Sequence, residues 1–283
     1  MKNIITILAI CIAISTLTGI AFAKGDHLLI TEVSFTPTPS EFIEIFNPST
    51  TAAVNLENYY LADHGSYWMI VNNSQINSTA DFFARFPTSS IIPPMGTIVV
   101  SLAGNTSFNG YYGGSTVANF ELVNTDGTPD MLPAQPGSIG ATASITNAGE
   151  CVILYSWNGV SDLVQDVDMV NAGQPAAANA ISQNSKAGQA IDGPDGDVLT
   201  TAYPANAYTM GNMTFAGAIG TTANRKPDKD EGTEAVVNGS GITGDDETSE
   251  NTGATWLALA PTPGVPGIVP VVLSRFETEI IKP

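Results

Sequence analysis

Apolar residues in this chain come in short runs rich in β-branched and aromatic side chains, separated by clusters of Gly, Pro, Asn and Asp. That pattern builds short strands and tight turns, so the expected fold is an all-β, immunoglobulin-like sandwich with long loop insertions and one or two short helices. Strands are expected over residues 28–35, 41–46, 59–62, 67–71, 97–102, 150–156 and 163–170. Turns are marked by Thr36-Pro37-Thr38-Pro39-Ser40, Asn47-Pro48-Ser49, Pro93-Pro94-Met95-Gly96 and Trp157-Asn158-Gly159, the last reading as a hairpin. One helix is expected over 79–86, capped by Ser78 or Thr79, with Phe82 and Phe86 one turn apart and Pro87 stopping it. A further turn or two of helix would suit the Ala-rich residues 175–181. Residues 108–149 form a Gly-, Asn- and Pro-rich insertion whose order depends on contacts that local pattern does not reveal.

The N-terminus sets the compartment. Lys2 precedes an apolar run from Ile4 to Ile20 that closes with Ala21-Phe22-Ala23, the form of a signal peptide cleaved between Ala23 and Lys24. Cys11 follows Ile10 in place of a small residue, which argues against a lipoprotein site. The expected product is secreted or held at the cell surface, with no membrane span after cleavage. It keeps one cysteine, Cys151, so no intrachain disulfide can form; Cys151 lies in an apolar run and reads as a small core side chain. The domain is expected over 24–268, with 269–283 a tail or the start of another β-segment.

The formal net charge is −18, from 27 acidic and 9 basic residues, although only 13% of the chain is charged. With no basic cluster to release counterions from phosphates, nucleic acid is excluded as a partner. Residues 225–250, poor in aromatic residues and rich in carboxylates, read on composition as a mobile loop.

Several blocks occur together in order: Leu29-Ile30-Thr31-Glu32-Val33, Glu41-Phe42-Ile43-Glu44-Ile45-Phe46-Asn47-Pro48, Tyr60-Leu61-Ala62-Asp63, Asn147-Ala148-Gly149-Glu150 and Asp166-Val167-Asp168, with Asp192-Gly193-Pro194-Asp195 and Thr262-Pro263-Gly264 further on. Through these, residues 28–268 resemble the lamin tail domain as it occurs in secreted bacterial proteins. The resemblance implies an immunoglobulin-like sandwich and no particular reaction, since such domains stand beside hydrolases as appended modules and also alone on exported proteins. Glu32 and Glu44, set in apolar strands, are expected to meet backbone groups or Arg225.

Catalytic chemistry finds few residues. After Ala23 the histidines are His27 and His64, no serine sits in a nucleophile elbow, and a zinc site could not be filled without heavy use of carboxylates. No cofactor is required. Calcium is the ion the acidic turns would suit: Asp192, Asp195 and Asp197 share a glycine-rich turn, and Asp245, Asp246, Glu247 and Glu250 form a second group. Asn124, Asp126 and Asp130 form a third; all three read equally well as hairpin turns or solvated loops. Tyr60, Tyr67, Trp68, Tyr111 and Tyr112 are candidate rings for contact with an extracellular polymer or protein, although strand alternation places about half of such rings in the core. The expected function is non-catalytic adhesion, binding or scaffolding, stabilised by calcium; the rivals are an accessory domain of a secreted hydrolase and a structural matrix subunit.

Overall fold

The computed structural model describes residues 27–146, 149–173, 185–205, 222–225, 241–242, 244, 247–250 and 252–265. The signal segment, the Ala-rich residues 175–181 and the tail 269–283 lie outside the described residues. The first strands are β1 (Leu29–Ser34), β2 (Phe42–Phe46), β3 (Val54–Asn55), β4 (Tyr59–Ala62), β5 (Phe83–Arg85), β6 (Ile91–Ile92) and β7 (Thr97–Ser101). Helix α1 (Asn105–Tyr111) precedes β8 (Phe120–Glu121), β9 (Leu132–Pro133), β10 (Gly149–Ser156) and β11 (Gln165–Gly173). The chain continues through β12 (Ala190–Ile191), β13 (Thr201–Ala202), β14 (Thr222–Arg225), α2 (Thr252–Thr255) and β15 (Trp256–Leu259).

Two sheets form the sandwich, one ordered β15-β14-β1-β2-β7-β8 and the other β11-β10-β4-β5-β9. Alternation along β2 explains the packing. Ile43 and Ile45 point between the sheets, where they meet Ile30, Val33, Ile98 and Val100 from their own sheet and Leu61, Ala84, Val152, Leu154 and Val170 from the other. Phe42 points outward, into a small cluster with Val99, Ala118 and Phe108 of α1.

The five-stranded sheet is covered on both faces, as the unbroken apolar run Cys151–Tyr155 requires. Its outer face carries Tyr60, Phe83, Cys151, Ile153, Tyr155 and Met169 beneath Tyr67, Trp68, Ile70, Ile191 and Tyr203. The lid is a 3-10 helix, Tyr67–Asn72, together with the β12–β13 hairpin. The expected strand over 67–71 is therefore corrected: Asn73, in the left-handed region at φ 59°, ends a single short helix that presses its aromatic side chains onto the sheet.

The expected helix over 79–86 is a strand instead. Phe82, Ala84 and Phe86 enter the inter-sheet core while Phe83 points to the other face, a period of two that outweighs the helical reading. Ser78 accepts the N–H groups of Ala80 and Asp81 in a local turn, and β5 pairs with β4 through Leu61 opposite Ala84. The 108–149 insertion is ordered by distant partners: Phe83 N–H reaches the Ser138 carbonyl, Thr142 N–H reaches Thr79, and Ser144 N–H reaches Ala80. Helix α1 was hidden by its glycine and asparagine content; its first turn is held by Asn105 N–H donating to the Glu121 carboxylate at 2.7 Å. Among the described residues no helix is long and apolar enough to cross a membrane.

Ile43 has no exposed surface at the centre of the inter-sheet core. Ile43→Ala is expected to lower the unfolding free energy by about 2–5 kcal/mol, read from chemical denaturation.

Candidate functional site

Three acidic groups and one set of aromatic rings stand out in the sequence, and the fold treats each differently. The acidic turn after β12 is the one that gains a partner. Asp162, in the loop between β10 and β11, joins Asp192 and Asp195 so that one carboxylate oxygen from each lies within 4.8 Å of the others. The close approach depends on Gly193, where a Cβ would come within 2.6 Å of the Ser161 carbonyl oxygen. Asp162 accepts the Gly193 N–H at 2.8 Å and the Thr201 hydroxyl at 2.5 Å. The Thr201 hydroxyl first, then the Gly193 amide, lower the pKa of Asp162, which favours its ionised form. Asp192 is shifted the opposite way, by burial and then by the charges of Asp162, Asp195 and Asp197. Its Oδ1 is shielded from solvent and meets no hydrogen-bond donor. Asp197 turns away and accepts the Leu199 N–H at 2.7 Å. The cluster is thus Asp162, Asp192 and Asp195; the contribution of Asp162 was not visible in sequence, because its loop and the acidic turn are thirty residues apart.

The second group is only partly described, Asp245 and Asp246 lying outside the described residues. Glu247, in the 3-10 turn Glu247–Ser249, and Glu250, just after it, are both buried, and Glu250 accepts the Thr255 hydroxyl at 2.6 Å, which corrects the expectation of a solvated loop for this part of 225–250. In the third group, Asn124 donates to Asp130 at 2.7 Å and Asp126 accepts Asn105 at 2.9 Å, so these side chains brace their own loop.

Of the candidate rings, Tyr60, Tyr67 and Trp68 are buried and cannot serve as a contact surface without unfolding the outer layer. Tyr111 is exposed; Tyr112 is half-buried against Phe42 and Phe108 and donates to the Ser40 carbonyl at 3.1 Å. Beside the β10–β11 hairpin an open groove of about 970 Å³ is bounded by Tyr59, Trp157, Leu163, Gln165 and Ile242.

His64 stands against Ser66, whose hydroxyl lies 2.8 Å from Nδ1. The pair has the composition of a nucleophile and base but not the access: Ser66 is fully buried, its amide also donates to Nδ1, and its hydroxyl accepts the Ile76 N–H. Burial depresses the basicity of His64, with Asp81 opposing. The arrangement fixes the entry to the Tyr67–Asn72 helix.

One constellation escaped sequence reasoning altogether. Lys186, the only basic residue between Arg85 and Arg225, is 2% exposed and contacts Asp166 on β11, which is 1% exposed. Tyr67 donates to the other Asp166 oxygen at 2.6 Å, and Lys186 Nζ lies 2.5 Å from the Tyr67 hydroxyl. The ammonium sits 4.9 Å from the Tyr67 ring centroid and 5.6 Å from that of Tyr203. A solitary lysine in a long acidic stretch was the available signal.

Glu32 and Glu44, directly opposed on β1 and β2, are closed over by the Thr262-Pro263-Gly264 turn. Thr262 donates its N–H and hydroxyl to Glu32, both at 2.9 Å; Glu44 accepts the Thr31 hydroxyl at 2.6 Å and the Gly264 N–H at 2.8 Å. With these elements placed, the comparison with known families becomes decisive: the family model described as Lamin Tail Domain matches residues 22–173. The chain belongs to the lamin tail domain family. No curated protein matches it. The lamin tail domain is a non-enzymatic, immunoglobulin-like domain, in agreement with the sandwich and with the buried His64–Ser66 pair. The matched span of this lamin tail domain ends at Gly173, the last residue of β11, so the β12–β13 hairpin, Lys186 and the strands β14 and β15 lie beyond it.

Burial pushes Glu41 and Glu44 up to about 7 from an ordinary 4.5, partly offset by the bonds from Ile145 and Thr31 respectively. A raised folded-state value means that the folded chain binds more protons than the unfolded one between pH 4.5 and 7. Stability therefore falls as pH rises through that window and levels off above it. Glu121 acts in the opposite sense: its burial is outweighed by bonds from Asn105, Thr125 and Asp126, so protonation below its ordinary range destabilises the fold. Thermal midpoints are expected to peak in the mildly acidic range, and Glu41→Gln should flatten the decline toward neutral pH.

Proposed function

We propose that this lamin tail protein is exported and works at or outside the cell surface as a non-catalytic adhesion or scaffolding module, with calcium tying the acidic turn after β12 to the β10–β11 loop. The observation that carries the reading is the contrast between its reactive and its open residues. His27, His64 and Ser66 are buried, whereas Asp192 and Asp195 bring carboxylate oxygens together with one of Asp162, and Oδ1 of Asp192 is shielded from solvent and meets no donor. Hard cations take such oxygen sets, and a bound cation would relieve the mutual repulsion that raises Asp192. Export is supported by the Lys2-to-Ala23 pattern. The net charge of −18 leaves an extracellular polymer or a protein, not a nucleic acid, as the partner class. Tyr111 and the exposed Val198 and Leu199 beside the acidic turn supply apolar contact area for it.

Thermal unfolding of the chain is expected at a higher midpoint in calcium than in chelator, since an ion that binds only the folded state stabilises by about 2.7 kcal/mol at a hundredfold excess over its Kd. Asp195→Asn, at an exposed position, should abolish the difference while leaving the chelator midpoint in place. Equal midpoints in wild type would remove calcium from the reading. Tyr111→Ala is expected to weaken retention on a cell-surface polymer fraction without changing the midpoint, and turnover of any substrate by the purified chain would overturn the non-catalytic assignment.

A further inference from the structure

The buried contact between Lys186 Nζ and Asp166 Oδ2 places an amine against a carboxyl group under conditions that differ from those of an ordinary surface ion pair. Both side chains are almost wholly enclosed, Lys186 by the Tyr67 and Tyr203 rings and Asp166 beneath the Tyr67 hydroxyl. Separated charges in such surroundings are costly, and transfer of one proton from the ammonium to the carboxylate removes both of them. What remains is a neutral amine, which is a nucleophile, next to a neutral carboxylic acid, which is an electrophile.

We propose that Lys186 and Asp166 form an intramolecular amide cross-link. In the reaction the Nζ lone pair attacks Cγ of Asp166, the carbonyl electrons move onto Oδ1, and Tyr67, already donating to Oδ1 at 2.6 Å, stabilises the developing oxyanion. Collapse restores the carbonyl, the Cγ–Oδ2 bond breaks, and the departing hydroxyl leaves as water with a proton taken from the attacking nitrogen. The balance is ammonium plus carboxylate giving amide plus one water, with no oxidant, nucleotide or other co-reactant. Tyr67 is suited to its part because burial, and then the Asp166 charge, push its phenol well above the usual range, so the proton stays available for donation.

The equilibrium favours the bond for the same reasons. Groups fixed in contact by a folded framework react as though each faced the other at about 10^5 M or more, and a site sealed by Tyr67, Tyr155 and Tyr203 gives water little access for hydrolysis. The bond would join the edge strand of the five-stranded sheet to the segment that leads into β12. That segment packs over the outer face, in a chain that has no second cysteine after Ala23 to serve the same purpose. Asp166 is well placed to be the strand partner: a bulge between Leu154 and Tyr155 pairs it with Tyr155 on the outer face, while Val167 and Asp168 turn inward.

The test uses the protein as produced by the cell. Trypsin has one site between Arg85 and Arg225, at Lys186. Amide formation blocks cleavage there, so the digest of wild type should yield residues 86–225 as a single species lighter than its sequence by the mass of one water, with fragmentation placing the branch at Asp166 and Lys186. Lys186→Arg, which keeps the charge but cannot form this amide, should yield residues 86–186 and 187–225 at full mass. Recovery of those two separate peptides from folded wild-type protein overturns the proposal. So does a loss of water without a branched fragment, because this would place the dehydration elsewhere. Since the deciding measurement is on wild type, failure of a variant to fold cannot obscure it.

Discussion

Carboxylates accepting backbone N–H groups in the interior are the interaction on which the rest of this fold depends. Asp63 accepts Phe82 N–H at 2.7 Å and so sets the start of β5; Asp168 accepts Ile30 N–H at 2.5 Å, joining one sheet to the other across the sandwich. Glu121 receives the amides of Asn105, Thr125 and Asp126 and thereby folds the insertion that carries α1. These amides lie in loops or beside the bulge in β1, and a buried amide with no acceptor costs about 1–3 kcal/mol. A carboxyl group offers two acceptor oxygens and so has room for more donors than a backbone carbonyl. This explains a chain that is strongly acidic yet sparsely charged: many of the acids are internal fittings for irregular backbone, among them Glu32, Glu44, Asp63, Glu121 and Asp168, each no more than 1% exposed.

The same interaction permits the second departure from a simple sandwich, the covering of both outer faces. A sandwich with solvated outer faces needs only its two strand layers. Here the five-stranded sheet also supports a 3-10 helix and the β12–β13 hairpin, and the six-stranded sheet carries α1 and the Thr262–Gly264 turn. These covers are short and have little helix or sheet of their own to satisfy their backbone. Side-chain oxygens take that role, Glu44 for Gly264 and Asp162 for Gly193, while the Tyr203 hydroxyl of the cover in turn accepts the Val164 N–H at 2.9 Å.

How much of this was legible in the sequence follows from the range of the forces involved. The strands β1, β2, β4, β7 and β10 and the β10–β11 hairpin were readable because their period and turn chemistry are local. The residues 79–86 and 67–71 were misread for a matching reason: aromatic residues at Phe82 and Phe86 satisfy a helical spacing as well as a strand, and only the neighbour β4 decides between them. The acidic turn was legible as a candidate, but Asp162 was not, and Lys186 carried no local motif at all. Tyr67 and Trp68 read as candidate surface rings in the sequence because alternation predicts a face without saying whether a further layer lies on it.

Placed together, the features missed by local reading converge on one segment. Residues 185–205 are held to the β10–β11 hairpin at Asp166 through Lys186, at Asp162 through Gly193 and Thr201, and at Val164 through Tyr203. The hairpin loop and the first residues of β11 thus hold the β12–β13 part of the outer layer of the five-stranded sheet, although that part follows the residues matched by the lamin tail family model. Because the β12–β13 pair is only two residues long on each side, its own ladder cannot hold it; a two-stranded hairpin is marginal in water. Its position is therefore set by charged side chains from a neighbouring loop and strand. A substitution in that loop should move the outer layer before it disturbs the inter-sheet core, since Val152, Leu154 and Val170 make their contacts on the opposite face.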